Sequence, residues 1–384
     1  MRDRTTKRQS GFSLLEMTVS LALGGVVLAA AVNIYIQGVN ATFVTSQRSE
    51  LQQDFRAASN ILTKDLSLAG SGFQGGTSIA LPSTVTPVIG CDQSTTCYIN
   101  GGSLPYPKTG GTAYLYGLLP GYNAGPTLSG SAVNDAITVV YTDTNFYLDC
   151  YTATITSATS VTFTLPGSTS ANCTSPTGQT GAQAVNNAAS GLTAGDLVLF
   201  TFGSSNIVAE VTTASTGAGV TAFAANDVLK MNQAAAVTNS LASKYVASPP
   251  AAALTTGFAQ RIFVITYYLD NTASTPRLMQ QVSGHSPVPV AEGVVFLKFS
   301  YDLFNDATNL PAVNCSNPGA ASDGCAGAST GLLPNQVTKI NIVNMAMDGT
   351  QKGNAFGLAK GYQRLSLQTS VCARNLTYVN NYPN

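Results

Sequence analysis

Charged side chains are scarce in this chain of 384 residues, at 9% of the total, and histidine occurs once, at 285. So little charge excludes charge-driven disorder and is a poor fit to a typical cytosolic enzyme. Gly, Ser, Thr, Asn and Ala are abundant instead, a balance often seen in extracellular β-rich proteins. No Cys-x-x-Cys pair occurs, and with one histidine a zinc site is not expected. No basic patch or basic, aromatic-rich groove is present, so nucleic acid is not an expected partner. His285 lies in the loop Ser283-Gly284-His285-Ser286-Pro287 and reads as an inert turn residue rather than as the base of a hydrolase triad. The chain is therefore expected to be no enzyme, with no cofactor and no metal.

The seven cysteines are Cys91, Cys97, Cys150, Cys173, Cys315, Cys325 and Cys372. Spacings of 91–97, 150–173 and 315–325 suggest three local disulfides formed in an oxidising compartment, although sequence alone does not settle the pairing. Cys372 is left over, free or bonded elsewhere. Asp143 with Asp149, and Asp302 with Asp306, are the acid pairs nearest to a calcium site. Neither has EF-hand spacing, and solvated turn acids are the simpler reading. The many tyrosines, such as Tyr114, Tyr116, Tyr141, Tyr147 and Tyr151, read as strand residues.

Charge is unevenly spread. Setting Arg2, Arg4, Lys7, Arg8 and Asp3 aside from the 18 basic and 18 acidic residues leaves 14 and 17, a balance of −3 after Gly11. This basic head precedes Gly11-Phe12-Ser13-Leu14-Leu15-Glu16 and an apolar run over 12–36, in which Glu16 is the single charged residue. As a helix, such a run spans roughly 37 Å, enough for a hydrocarbon core of about 30 Å. An acid there is costly, about 2.5–3.5 kcal/mol near a bilayer centre, and a residue so costly usually has a partner. A cleavable signal peptide with an exit at Ala29-Ala30-Ala31 is one reading, but Glu16 interrupts it and the run is too long. A plain membrane anchor is another, its basic head cytoplasmic and the remainder exported.

The third reading rests on a resemblance. Gly11-Phe12-Ser13-Leu14-Leu15-Glu16 after a short basic leader resembles the processing signal of type IV prepilins and type II secretion pseudopilins. That resemblance implies cleavage by a prepilin peptidase between Gly11 and Phe12, and N-methylation of Phe12. It also implies that Glu16 aligns and recruits subunits by neutralising the new amine of a neighbour. Two charges paired in a low-dielectric helix bundle set register, because a shifted helix leaves both unpaired. Major pilins commonly carry a proline in the apolar half of this helix; here there is none between 12 and 36, and Gly24-Gly25 is the weak point.

Beyond Ile36, Leu51, Phe55, Ala58, Leu62 and Leu66 recur at helical steps, with Arg48, Glu50, Asp54, Lys64 and Asp65 largely off that stripe. Gly70 and Gly72 read as the stop, so one helix is expected over 12–69. The G-x-G-x-x-G spacing of 70–75 follows a helix rather than a strand, and reads as a helix exit and not a dinucleotide site. Short strands separated by Gly/Pro/Asn/Ser turns follow, among them 112–119, 136–142, 146–156 and 160–165. Residues 171–190 and 217–250 read as loops, the latter with a short helix. Hairpins are expected from 196–202 with 207–212 and from 261–269 with 277–282, then strands over 294–302, 337–348 and 362–376.

The succession Tyr267-Tyr268-Leu269, Leu278-Met279-Gln280-Gln281, Val290-Ala291-Glu292-Gly293-Val294, Phe299-Ser300-Tyr301-Asp302 and Thr369-Ser370-Val371-Cys372-Ala373-Arg374-Asn375-Leu376 is similar to the large minor pilins of the PilW type. These in turn are similar to the J-type minor pseudopilins of type II secretion. The implied fold is α+β and pilin-like, a long N-terminal α-helix with an apolar membrane half and an amphipathic half packed on a β-rich antiparallel head. The implied division is a leader 1–11, a membrane and filament-core half 12–36, an amphipathic half 37–69, a variable loop-rich region 70–190 and a C-terminal sheet region 191–384. The implied role is a minor pilin that helps to initiate a type IV pilus at or near its tip. A minor pseudopilin of type II secretion, or an anchored surface binder or adhesin, is the alternative. Expected partners are prepilin peptidase, other major and minor pilins, an inner-membrane assembly platform and, before assembly, membrane lipid. The expected location is the inner membrane with a periplasmic head, then the pilus and cell surface.

Overall fold

The computed structural model describes residues 11, 13–73, 79–82, 108–109, 112–128, 133–146, 148–164, 185–187, 190–214, 219–225, 227–247, 256–305, 310–319, 325, 332–349, 364–373 and 375–376. Helix α1 runs Leu14–Ser67, 54 residues, and an antiparallel β-rich head follows, an α+β, pilin-like architecture. The chain divides into two compact units, residues 1–53 with 349–363, and residues 54–348 with 364–384.

In the first unit the helix is almost wholly exposed from Leu14 to Phe43, and the apolar side chains find no core of their own. In the second, Phe55, Ala58, Leu62, Leu66 and Ala69 are buried, so here the helical stripe is a packing face. The last turn tightens through Leu68 N–H to Asp65 O and Ala69 N–H to Leu66 O. Gly70 (φ 75°) and Gly72 (φ 80°) then turn the chain out of the helix in the left-handed region. Gly70 N–H reaches Val140 O at 2.8 Å, and Thr142 N–H reaches Ser71 O at 2.9 Å. A Cβ on Gly72 would stand 1.6 Å from Thr142 Oγ1, so this close approach requires glycine as well.

Three sheets are present among the described residues. β1 (Ile79–Ala80), β2 (Lys108–Thr109) and β3 (Thr112–Leu115) make a small one in the order β1-β3-β2. The largest holds β4 (Leu118–Gly121), β5 (Ala136–Thr142), β6 (Thr152–Ser157), β7 (Ser160–Thr164), β8 (Leu197–Phe202), β9 (Ser205–Glu210), β10 (Val220–Ala222), β11 (Thr256–Asp270), β12 (Arg277–Val282) and β13 (Val288–Glu292). A short helix, α2 (Leu241–Ala247), precedes β11. β11 is the spine of this sheet. Its first half pairs with β6 and β8, its second half with β5 and β12, all antiparallel. Two apolar clusters result, one around Leu119, Val140, Leu199 and Tyr268, the other around Phe163, Phe200, Phe202 and Phe223.

The third sheet has β14 (Val294–Asn305), β15 (Leu310–Cys315), β16 (Val337–Asp348) and β17 (Arg364–Cys372) in the order β15-β14-β16-β17. It is tied to the segment before β5 by two side chains. Asn134 Oδ1 accepts from Leu297 N–H at 2.9 Å, and Asp135 Oδ2 from Phe299 N–H at 3.0 Å. Lys298 Nζ closes on Asp135 Oδ1 at 2.7 Å and lies over the Tyr122 ring.

Several elements differ from their expected outlines. The strand expected over 112–119 breaks between β3 and β4, where a Cβ on Gly117 would meet Gly70 Cα and Leu376 Cδ2 at 2.6 Å each. The strand expected over 146–156 starts later, after a single 3₁₀ turn at Leu148–Cys150. β11 begins at Thr256 rather than 261: Thr256 and Gly257 pair with β6 and residues 258–262 with β8, and Ala259 alone is buried over 256–261, so no apolar alternation marks the start. Asp65, expected off the packing stripe, is 7% exposed.

Asp65 breaks two rules at once: it is a buried acid, and it lies at the C-terminal end of a helix, where negative charge is unfavourable. Its partners explain it. Tyr267 Oη donates to Asp65 Oδ2 at 2.6 Å, Gln280 Nε2 donates to the same oxygen at 3.0 Å, and Gln280 Nε2 also meets Tyr267 Oη at 2.7 Å. Burial pushes the Asp65 carboxyl above its ordinary range, and the two hydrogen bonds only partly oppose it. A raised carboxyl contributes stability that is complete below its unfolded pKa and declines as pH rises through its folded one. Asp65→Asn, which keeps the acceptor but cannot ionise, should therefore match or exceed native stability at pH 7, with the difference vanishing in acid. Asp65→Ala strands the buried Tyr267 hydroxyl and should cost about 1–3 kcal/mol in urea denaturation.

Candidate functional site

The chemistry-bearing stretch of the first unit is the start of α1. Ser13 N–H donates to Glu16 Oε2 at 3.1 Å, and Glu16 N–H donates to Ser13 Oγ at 3.2 Å. These reciprocal bonds form a capping box, which satisfies two of the amides a helix start leaves open. The first intrahelical bond, Met17 N–H to Ser13 O at 3.2 Å, confirms Ser13 as the N-cap. The Ser-x-x-Glu spacing before an apolar run is itself the sequence signal for this box. The helix thus starts at Leu14, and Gly11 lies outside it, exposed, with open space where a Cβ would stand. Phe12 lies outside the described residues.

Around Glu16 the surface is apolar. Leu14 is 83% exposed and Leu21 82%, and Met17, Leu23, Val26, Val27 and Leu28 are exposed as well. Gly24 and Gly25 have open space beside them and interrupt neither the helix nor its direction. The helix is long and apolar enough to cross a membrane. A carboxylate held at the positive end of such a helix is a ready counter-charge for a cation brought to the same level.

In the second unit the residues weighed for chemistry have structural partners. His285 Nε2 lies 2.9 Å from Asp196 Oδ1, while Asp196 Oδ2 accepts from Thr193 N–H at 2.8 Å. Burial works against the Asp196 carboxylate, yet His285, Thr193 and Arg261 together hold it below its ordinary range. Arg261 is the hub: Nε donates to Asp143 Oδ2 at 2.8 Å, Nη1 to Gly191 O at 2.9 Å, and Nη1 stands 3.7 Å from Asp196 Oδ2. The guanidinium also lies 5.0 Å from the centre of the Phe146 ring. Asp143 is thereby committed to Arg261 rather than to a cation from solution. Asp302 accepts from Asn314 N–H at 3.0 Å and Asn341 Nδ2 at 3.2 Å, and Asp306 lies outside the described residues. Among the described residues no cluster of three or more His, Cys, Asp or Glu could hold a metal ion. Arg261 carried no sequence signal, because its partners are 118 and 65 positions away.

Cys315 and Cys325 form a disulfide, and Cys150 is disulfide-bonded. Cys91, Cys97 and Cys173 lie outside the described residues. Cys372 is a free, exposed thiol at the end of β17.

Compared with known proteins, residues 6–32 match the family model described as the prokaryotic N-terminal methylation motif. No curated protein matches the chain, and no solved structure does. The matched segment contains Gly11, Ser13 and Glu16, the residues of the capping box and its flank, and it supports a type IV pilin-like prepilin.

Ser13→Ala removes one arm of the box and should cost the helix start about 1 kcal/mol. The readout is faster amide exchange at Leu15 and Glu16 in detergent micelles, with unchanged exchange beyond the first turns. In the head, Arg261→Ala leaves two buried carboxylates without their cation and should cost about 3–5 kcal/mol in chemical denaturation.

Proposed function

We propose that this protein is a minor pilin of a type IV pilus, similar to the PilW type, which is processed and then carried in the filament by α1. The observation that carries the reading is the methylation motif over 6–32 set at the start of a helix whose apolar surface stays exposed for some thirty residues. Prepilin peptidase would cut between Gly11 and Phe12 and methylate the Phe12 amine. The basic residues at 2–8 keep that end cytoplasmic and leave the head periplasmic until assembly. Residues 1–11 are then the leader, 12–36 the membrane and filament-core half, 37–69 the amphipathic half, 70–190 the variable region and 191–384 the C-terminal sheet region.

Glu16 supplies register. In the free subunit its carboxylate is occupied by Ser13 N–H; in the filament it meets the amine of a neighbouring subunit, and a helix shifted by one turn would leave both charges unpaired. The subunit is structural rather than catalytic. A head of this size suits a position with few neighbours, at or near the tip, where it helps to start assembly. Its partners are the other pilins, the inner-membrane platform and, before assembly, lipid. A minor pseudopilin of type II secretion shares all of this chemistry and differs in the machine that uses it.

Mass spectrometry of the mature protein tests processing: an N-terminal methyl-Phe12 is expected, whereas cleavage near Ala31 and release of soluble head would reject the proposal. Glu16→Ala should be processed normally yet enter filaments roughly tenfold less, the effect of losing about 1.4 kcal/mol. Unchanged incorporation would remove Glu16 from assembly. Deletion followed by electron microscopy separates the machines, since loss of surface pili indicates the pilus, and intact pili with failed protein secretion indicates the pseudopilus.

A further inference from the structure

Besides the acids around Arg261, the head holds a second pair that no ion pair neutralises among the described residues. Glu210 closes β9 and is 2% exposed; Asp227 opens the loop 227–232 and is 6% exposed. Burial pushes both carboxyls above their ordinary range, and the charge of Asp227 adds to the shift at Glu210. Two buried acids that grip one loop with no cation to neutralise them resist ionising together, which favours a state that holds one proton.

The loop is tied down almost entirely through these groups. Glu210 Oε2 accepts from Leu229 N–H at 2.8 Å and Oε1 from Val228 N–H at 3.3 Å. Asp227 Oδ1 accepts from Asn232 N–H at 3.1 Å, and Oδ2 from Met231 N–H. Asn232 adds a two-way clasp on Glu210: its Oδ1 accepts from Glu210 N–H at 3.0 Å, and its Nδ2 donates to Glu210 O at 2.7 Å. Between these anchors Lys230 sits at φ 57°, a strained left-handed conformation for a side-chain residue. Leu229 and Met231 reach down from the loop into the core cluster that includes Leu199, Val208 and Val264. On the other side Gly284 presses on the pair, since a Cβ there would stand 2.2 Å from Glu210 Oε1.

The surrounding charges are accounted for. From the loop, Asp227 faces Glu210, and exposed Lys230 makes no ion pair with it. From the turn at Gly284, His285 is engaged by Asp196, and Asp196 by Arg261. Among the described residues no third acid, cysteine or histidine joins the pair to make a metal site.

We propose that the Glu210–Asp227 pair is a proton-dependent latch, which holds the 227–232 loop over the core while it carries its proton and releases the loop when the proton is lost. Burial, reinforced by the charge of Asp227, pushes the Glu210 carboxyl from an ordinary 4.5 to about 8. In the opened loop Glu210 is wetted and regains its ordinary acidity. By linkage, the closed form is fully favoured below the opened-state pKa and loses ground as pH rises toward the closed-state value. The loop is therefore held tightest in acid and loosens as its surroundings turn alkaline.

Amide exchange of the intact protein, normalised to intrinsic rates, tests the latch between about pH 5 and pH 8, the interval over which one proton gives up to a tenfold change per unit. Protection at Leu229, Met231 and Asn232 should fall along that slope, while Leu297 and Phe299 in β14 stay level. Glu210→Gln, which keeps a neutral donor toward Asp227 at every pH, should flatten the slope. Where that variant does not fold, Asp227→Asn removes the like charge and should shrink it. A level profile in the native protein, an undiminished slope in either variant, or an equal slope in β14 would each overturn the proposal.

Discussion

An apolar helix that buries none of its own surface is stable only in lipid or among helices like itself. Everything about the N-terminal part of this chain follows from that constraint. Water cannot serve as the permanent surroundings of Leu14 to Phe43, so the folded head must tolerate being attached to a segment that belongs elsewhere. The single acid in that segment is satisfied locally, its carboxylate accepting from Ser13 N–H while Ser13 Oγ accepts from the Glu16 amide.

The head obeys a different rule. Several of its acids are turned inward: Asp65, Asp135, Asp143, Asp196 and Glu210 accept hydrogen bonds that join segments far apart in sequence, while Asp227 and Asp270 do the same for their own turns. A loop-rich antiparallel fold has many backbone amides that no ladder satisfies, and buried carboxylates are the acceptors that supply them.

The helix, its stop at Gly70 and the strands after Arg277 were legible because each is a local pattern, a periodicity or a punctuation residue. The hairpin β8–β9 was legible for the same reason, although its turn is tighter than expected and begins at Gly203, φ 61°. What escaped reading is non-local. The break at Gly117 exists because Gly70 and Leu376 need its space, and neither is a sequence neighbour. Asp65 looked like one more surface acid until Tyr267 and Gln280, over 200 positions away, came to face it. At the candidate site Gly11 and Glu16 were legible from their motif. The pairing of Ser13 with Glu16 is equally a local signal, the Ser-x-x-Glu spacing of a capping box.

The position of β11 has a mechanical consequence. Tension carried along α1 leaves the helix through Gly70 and Ser71, whose backbone bonds lead to Val140 and Thr142 of β5, the strand paired to the middle of β11. β11 in turn is laddered to four strands over its fifteen residues. A pull on the helix is thus shared at once across the centre of the largest sheet rather than peeling one strand from its rim. Of the ways to join a helix to this sheet, that is the attachment point least prone to tearing.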